Sequence, residues 1–407
     1  MPWAVTSDTE ALSIHGGVDQ MAIKRLLLLI ILSCGLGWVQ ANDSHPASTN
    51  IPGAEYPQIH SDLSATFRVR ADQAQRVQLL MELGQSTYDM VKGKDGFWEV
   101  RTKPLLPGFH YYEISVDGFA SNDPGSRVFF AAMKEVSGLE VPSPESDFFA
   151  VKDVPHGTVR TQWYLSKTTG QVRRIFVYTP PGYDQSTSRY PVLYLQHGAG
   201  EDEVAWSDQG HENFILDNMI ASGKAKPMII VNENGMTGVH LPPAPPHPTS
   251  PRNSAPIRQL MEEGFTLFDS VVSDDLIPFI DANFRTLPDR EHRALAGLSM
   301  GGSEAVSIGL NHLDQFAYIG AFSPAIEITN TASDYHGRLA NAARVNQQLR
   351  LLWIGIGSDD FLLEPVKQSH ENLEKVGIKH VWVESSGSHV WTVWRKYLAD
   401  FAPRLFR

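Results

Sequence analysis

Cysteine is nearly absent: Cys34 is the only one in 407 residues. A single thiol cannot close an internal disulfide, and zinc sites of the zinc-finger type need several cysteines. Cys34 also falls inside an apolar stretch that reads as a removable export segment, so the remaining chain has no thiol for nucleophilic chemistry. An excess of positive charge is missing as well. Lysine and arginine number 34 against 46 aspartates and glutamates, for a formal net charge of -12. A surface that binds a phosphate backbone needs the opposite balance, so nucleic acid is not expected as a partner. Long apolar runs are lacking too. The strongest, residues 26–32, is too short to span a bilayer comfortably, and no later segment approaches the roughly 20 residues required. No internal repeat is visible.

What is present begins with an N-terminal address. Met21-Ala-Ile-Lys-Arg25 supplies a start residue and a positive n-region, the apolar character continues to Val39, and Val39-Gln40-Ala41 is a small-x-small cleavage pattern. This layout predicts a signal peptide over residues 21–41, with residues 1–20 as an upstream extension and Asn42 opening the mature chain. The alternative is an N-terminal membrane anchor. The expected compartment is secreted or periplasmic, with no stable membrane insertion after cleavage. A polar, proline-containing linker follows over residues 42–59. Without disulfides, the core alone must hold the fold together.

Residues 60–150 read as short strands. Residues 66–70 alternate and 77–83 are rich in β-formers. Lys94-Asp95-Gly96 is a hairpin signal before residues 97–100, and Asp117-Gly118 closes another after residues 109–116. Turn signals at this spacing predict a small all-β sandwich. From residue 155 the pattern changes. Apolar runs at 174–178, 191–195, 227–231, 294–296, 318–322, 351–355 and 380–384 alternate with helical stretches at 212–222, 268–283, 302–311 and 364–376. Continuous apolar strands separated by helices predict an α/β fold with a mostly parallel sheet covered by helices over residues 155–407. A proline-rich insert over 241–256 reads either as a cover over the site or as a surface loop.

Gly297-Leu298-Ser299-Met300-Gly301 fits G-x-S-x-G between a short apolar strand and a helix. There, glycines permit a sharp strand-to-helix turn that exposes a strained serine, and the helix N-terminus behind it favours negative charge. The structural alternative is a glycine-rich turn without chemistry. An alcohol needs a base to act as nucleophile. His389 lies on a small-residue loop, Ser385-Ser-Gly-Ser-His389, after the last strand, whereas His380 opens that strand at the opposite end of the sheet. The preceding strand ends in two carboxylates, Asp359 and Asp360, either of which can orient His389. Gln196-His197-Gly198-Ala199-Gly200 reads as an H-G-x-G turn that supplies one oxyanion amide, at Ala199, and the residue after the serine, Met300, supplies the other. This chemistry calls on no cofactor and no metal.

With these residues in place, residues 155–407 resemble the esterase D superfamily, and within it the family 1 carbohydrate esterases: feruloyl esterases and acetyl xylan esterases. The stretches that carry the resemblance are Val177-Tyr-Thr-Pro-Pro-Gly-Tyr183, Val192 through Gly200 with Trp206, Asp275 through Ile280, Gly297 through Gly302, Gly357-Ser-Asp-Asp360, and Gly387-Ser-His389 with Trp391. The resemblance implies an α/β-hydrolase fold and selects Asp360 over Asp359 as the orienting acid. It also implies a serine carboxylic ester hydrolase working through an acyl-enzyme on feruloyl or acetyl esters of plant cell-wall xylan, or on small aromatic esters. His197, Trp206 and Trp391 are then expected among the substrate-binding residues, with packing in the core as the alternative for Trp391. Through Lys94-Asp-Gly-Phe-Trp98, Pro107-Gly-Phe-His-Tyr-Tyr112 and Val116-Asp-Gly118, residues 60–150 resemble the early-set, immunoglobulin-like domain related to family 48 carbohydrate-binding modules. Met81-Glu-Leu-Gly84 departs from the Gly-Asp-Trp turn of glycan-binding relatives, and Trp98, Phe109 and Tyr111 are expected to pack inside rather than stack on sugars. The competing readings are an enterochelin-type siderophore esterase, with Arg252, Arg258 and Arg285 as its candidate basic patch, an acyltransferase with the same residues, and a non-catalytic carbohydrate-binding protein.

Overall fold

The large apolar strands assemble into one eight-stranded sheet in the order Thr158–Leu165, Val172–Thr179, Ile229–Asn232, Val192–Gln196, Arg293–Leu298, Tyr318–Phe322, Leu351–Gly357, Val381–Ser385. The first two pairings are antiparallel and the rest parallel. This computed structural model describes residues 43–142, 144–238 and 255–407. The expected export segment with Cys34, and residues 241–254 of the proline-rich insert, lie outside the described residues.

Side-chain alternation along the strands divides the core in two. Leu193, Leu195, Ala294, Ala296 and Trp353 face one side, where they meet Ile215 and Leu216 of the helix Glu212–Ala221 and Tyr397, Leu398 and Phe401 of the helix Trp391–Phe401. Val192, Tyr194, Leu295 and Val231 face the other side, against Phe268, Val272 and Ile280. Helices on both faces cover the central strands, which is why those read as unbroken apolar runs, while the edge strands Thr158–Leu165 and Val381–Ser385 stay partly open to water. The helix expected over 268–283 is broken into Ala255–Ser270, a π-helical turn Val271–Leu276 and Ile277–Asn283. Pro278 has no N–H and crowds the carbonyl four residues back, and a π turn absorbs that conflict.

The N-terminal part forms two antiparallel sheets, one of five strands and one of six. Their shared interior contains Phe67, Val77, Leu79, Trp98, Tyr112, Ile114 and Leu139. The strand Gly108–Val116 is buried on both faces. Tyr112 and Ile114 point into that interior, whereas Phe109 and Tyr111 point the other way and join Trp206, Trp391 and Trp394 in the core of the large sheet. Residues Ser44–Arg407 therefore make one compact unit. An ion pair ties the layers: Arg395, fully buried, donates to both oxygens of Glu140 at 2.8 and 2.9 Å.

The strands Val128–Ala131 and Lys134–Val141 carry no turn signal in the sequence. Their connection, Ala132-Met133, takes φ of 51° and 67° without a glycine. Left-handed backbone at non-glycine residues is uncommon and gives sequence reasoning nothing to detect. The edge strand Thr158–Leu165 is likewise unannounced, because it alternates exposed and half-buried residues rather than running apolar.

Candidate active site

The parallel strands end level with one another at their C-terminal edges. Gln196 pairs with Gly297, Leu298 with Phe322, Phe322 with Gly355, and Gly357 with Ser385. Loops leaving these ends meet at one rim, the ordinary place for a binding crevice in such sheets.

Ser299 sits between the central strand Arg293–Leu298 and the helix Met300–Asn311, with φ 52° and ψ -116°. Two glycines make this turn possible. A Cβ on Gly297 would lie 2.5 Å from the Gly301 carbonyl, and one on Gly301 would lie 2.5 Å from the His197 carbonyl oxygen. Both contacts are with backbone, which cannot rotate away. The Ser299 amide donates to the Phe322 carbonyl at 2.8 Å. The side chain remains partly accessible.

His389 Nε2 lies 2.9 Å from Ser299 Oγ, and His389 Nδ1 lies 2.9 Å from Asp360 Oδ2. Asp360 is fully covered, while His389 keeps 17% of its side chain exposed. The Leu362 amide donates to Asp360 Oδ1 at 3.0 Å. Burial works to raise the Asp360 pKa, but the hydrogen bond and charge of His389 outweigh it and hold the carboxyl below its ordinary value. It stays an acceptor for an Nδ1 proton, which leaves Nε2 free to accept from Ser299. Asp359 points to solvent, and its amide donates to the Gly387 carbonyl at 3.0 Å. A Cβ on Gly357 would lie 2.2 Å from that same carbonyl oxygen. The close approach of these two loops brings His389 to Asp360. His380 stands away from this group, with its Nε2 2.8 Å from His370 Nδ1.

The loop after Val192–Gln196 packs beside the serine: a Cβ on Gly198 would be 3.5 Å from Ser299 Cβ. The amides of Ala199 and Met300 donate to no acceptor among the described residues. His197 explains how one of them is aimed. Its Nε2 accepts from the Gly235 amide at 3.2 Å, so Nδ1 carries the proton and donates to the Gly198 carbonyl at 2.8 Å. That carbonyl and the Ala199 N–H belong to one planar trans peptide and point in opposite directions. Burial pushes the His197 pKa down to about 4, which keeps it neutral in this role.

Three side chains expected to bind substrate are interior instead. His197, Trp206 and Trp391 are 2%, 0% and 1% exposed. Trp206 Nε1 donates to the Gln196 carbonyl at 2.8 Å, and Trp391 Nε1 donates to Glu201 Oε1 at 3.0 Å. All three support the loop from behind, because each spends its polar atoms on internal partners. Sequence reasoning passed over Phe361. This apolar residue is 76% exposed, with its ring 4.7 Å from that of His389. Its position directly after Asp360 was the available signal. Glu201 was also missed. It is a buried carboxyl whose pKa burial raises to about 7 against the lowering effect of its hydrogen bonds.

The Esterase family model matches residues 166–405. An endo-1,4-beta-xylanase/feruloyl esterase from Xylanibacter ruminicola is 36% identical over 373 residues, covering 90% of this chain and 48% of that protein. The chain thus spans about half the length of that relative. Among solved structures, a ferulic acid esterase from Anaeromyces mucronatus in complex with ferulic acid matches with TM-score 0.53 at 26% identity, over 64% of this chain and 95% of that chain. The enterobactin esterase of Shigella flexneri, with enterobactin present, matches with TM-score 0.57 at 16% identity, over 84% of this chain and 92% of that chain, a likeness of fold. The architecture is that of the α/β-hydrolase type. With more than half of its length matched by the family model, the chain belongs to the Esterase family.

Proposed function

We propose that this protein is a serine carboxylic ester hydrolase that cleaves feruloyl or acetyl esters on plant cell-wall xylan. The observation that carries the reading is the continuous contact from Asp360 through His389 to Ser299. Ser299 Oγ attacks the ester carbonyl while its proton passes to His389 Nε2. The developing oxyanion faces the Ala199 and Met300 amides at the N-terminus of the helix Met300–Asn311. Collapse breaks the carbon–oxygen bond to the alcohol, which leaves with the proton from His389. Water then attacks the acyl-serine, giving its proton to His389, and the acid departs as Ser299 recovers its own. Asp360 holds the tautomer and stabilises the imidazolium throughout.

The acyl preference is supported by the feruloyl esterase named in the relative and by the ferulic acid complex. It is also supported by Phe361, an exposed aromatic face beside His389. The two antiparallel front sheets support reading residues 60–150 as an early-set immunoglobulin-like domain, which also takes in the strands Ser44–Pro46 and Gln58–His60 from the stretch expected to be a linker. We infer export to a secreted or periplasmic location from residues 21–41. Among the described residues no helix is long and apolar enough to cross a membrane.

A siderophore esterase would need cations to hold a trianionic ligand. Arg285 is occupied with Tyr183, its guanidinium 3.8 Å from the ring centre, while Arg252 and the side chain of Arg258 lie outside the described residues. The deciding assay compares methyl ferulate, feruloylated arabinoxylan, acetylated xylan and ferric enterobactin. Turnover of a feruloyl or acetyl ester well above that of ferric enterobactin is expected. The reverse order overturns the substrate assignment.

A further inference from the structure

The loop that carries Ala199 is held from outside the large sheet. The Gly198 amide donates to Glu201 Oε2 at 3.0 Å. Glu201 Oε1 accepts from Tyr111 Oη–H at 3.0 Å and from Trp391 Nε1 at 3.0 Å. Tyr111 belongs to the front strand Gly108–Val116 and lies 90 positions earlier in the chain. Its hydroxyl in turn accepts from Gln209 Nε2 at 2.9 Å and from Trp391 Nε1 at 3.0 Å. These groups are nearly closed to solvent: Tyr111, Glu201 and Trp391 are 7%, 7% and 1% exposed.

The far end of the same loop is held by a second front element. The Met133 amide donates to the Gly200 carbonyl at 2.9 Å. Gly200 has φ +82°, and a Cβ there would stand 3.1 Å from Ala132 Cα. Ala132 and Met133 are themselves left-handed, at φ 51° and 67°. Such backbone is strained at residues with a Cβ and persists where its surroundings enforce it. The front sheets therefore grip both ends of a short loop whose middle residue supplies a proposed oxyanion amide.

We propose that Tyr111 and Glu201 are positioning residues for ester hydrolysis, through which the front sheets hold the Ala199 amide in register with Ser299. This rests on the hydrolase reading above and extends it: the front sheets complete the active-site scaffold instead of serving as a detachable module. An oxyanion donor must already lie in place when charge develops, because its value depends on costing no reorganisation at that moment. Glu201 suits this task. Ionised, as it is above about pH 7 where the assay is run, it accepts the Gly198 amide on one oxygen and the Tyr111 and Trp391 donors on the other. An amide in its place presents a donor to one of those two sides, and that side must move.

The test uses the full chain with p-nitrophenyl acetate and thermal unfolding. Glu201→Gln is expected to lower kcat by about 10- to 100-fold, approaching the loss of an oxyanion donor, with KM within about threefold. Tyr111→Phe removes a single oxygen and is expected to lower kcat by about 3- to 10-fold in the same manner. Glu140→Gln weakens the buried Arg395 pair in the same interface, which touches no loop residue and reaches Tyr111 only through Gln209, whose carbonyl Arg395 keeps holding; it is expected to lower Tm while kcat stays at the wild-type value. Wild-type kcat in folded Glu201→Gln and Tyr111→Phe, or an equal kcat loss in Glu140→Gln, overturns the positioning role. Ser299→Ala separates the two levels. If it is inactive while the positioning variants behave as wild type, only this inference fails. If it stays active, the hydrolase reading falls and takes this inference with it.

Discussion

His389 Nε2 stands 2.9 Å from Ser299 Oγ across 90 residues of chain, and the same ring stands 2.9 Å from Asp360. Three loops from three neighbouring or near-neighbouring parallel strands produce this contact. The strands end level, so each loop needs only a few residues to reach the shared rim.

Ser299→Ala is expected to abolish ester hydrolysis and leave the fold intact. The hydroxyl's hydrogen bond is to His389, while the turn is held by the Ser299 amide on the Phe322 carbonyl, which survives the change. Ester turnover and the thermal unfolding midpoint, measured together, check this; an active variant refutes the nucleophile.

Asp360→Asn is expected to reduce kcat by about four orders of magnitude, as in serine proteases where the orienting carboxylate becomes an amide and the wrong histidine tautomer is favoured. Asp359→Asn is expected to retain activity within a few-fold, since that side chain faces solvent. A large loss in the second variant and not the first would exchange their roles.

Phe361→Ala is expected to raise KM for methyl ferulate by about 5- to 10-fold, the scale of one aromatic pairing, with little change for methyl acetate. Stability should not move, because the ring is 76% exposed. Equal effects on both esters would show that the ring does not contact the acyl group.

Glu212 offers a pH test away from the site. It is fully buried and accepts from Ser207 Oγ at 2.7 Å and Asn232 Nδ2 at 3.1 Å. Burial raises its pKa from 4.5 to about 7. The folded state therefore holds a proton that the unfolded state releases, and stability from this group, full below about pH 4.5, is lost as pH rises toward 7. Glu212→Gln removes that dependence. Its stability relative to the wild type is expected to improve from pH 4 to pH 8 by up to about 3 kcal/mol, from denaturant midpoints. A difference constant across that range would show that Glu212 does not titrate there.

Much of the large sheet was legible because its strands are covered on both faces and its helices are amphipathic or tightly capped by glycine turns. The serine and the histidine were legible because each follows a strand at a small-residue loop, where side chains are scarce and each polar group stands out; the acid was legible only as the pair Asp359 and Asp360, between which the resemblance chose. What the chain alone determined was the order of elements and the chemistry available at each loop. Tertiary structure decided which polar groups remain free to react. His197, Trp206 and Trp391 look like site residues by type, yet close packing around the loop spends their polar atoms on internal partners. Phe361 and Glu201 carry no motif and Tyr111 was legible only as an inward-packing ring; the roles proposed for them rest on distances between elements far apart in sequence. Covalent order and side-chain pattern specify local structure because their forces act over a few residues. Burial, and the partner a polar atom finds in it, depends on surfaces that exist only once the whole chain has packed.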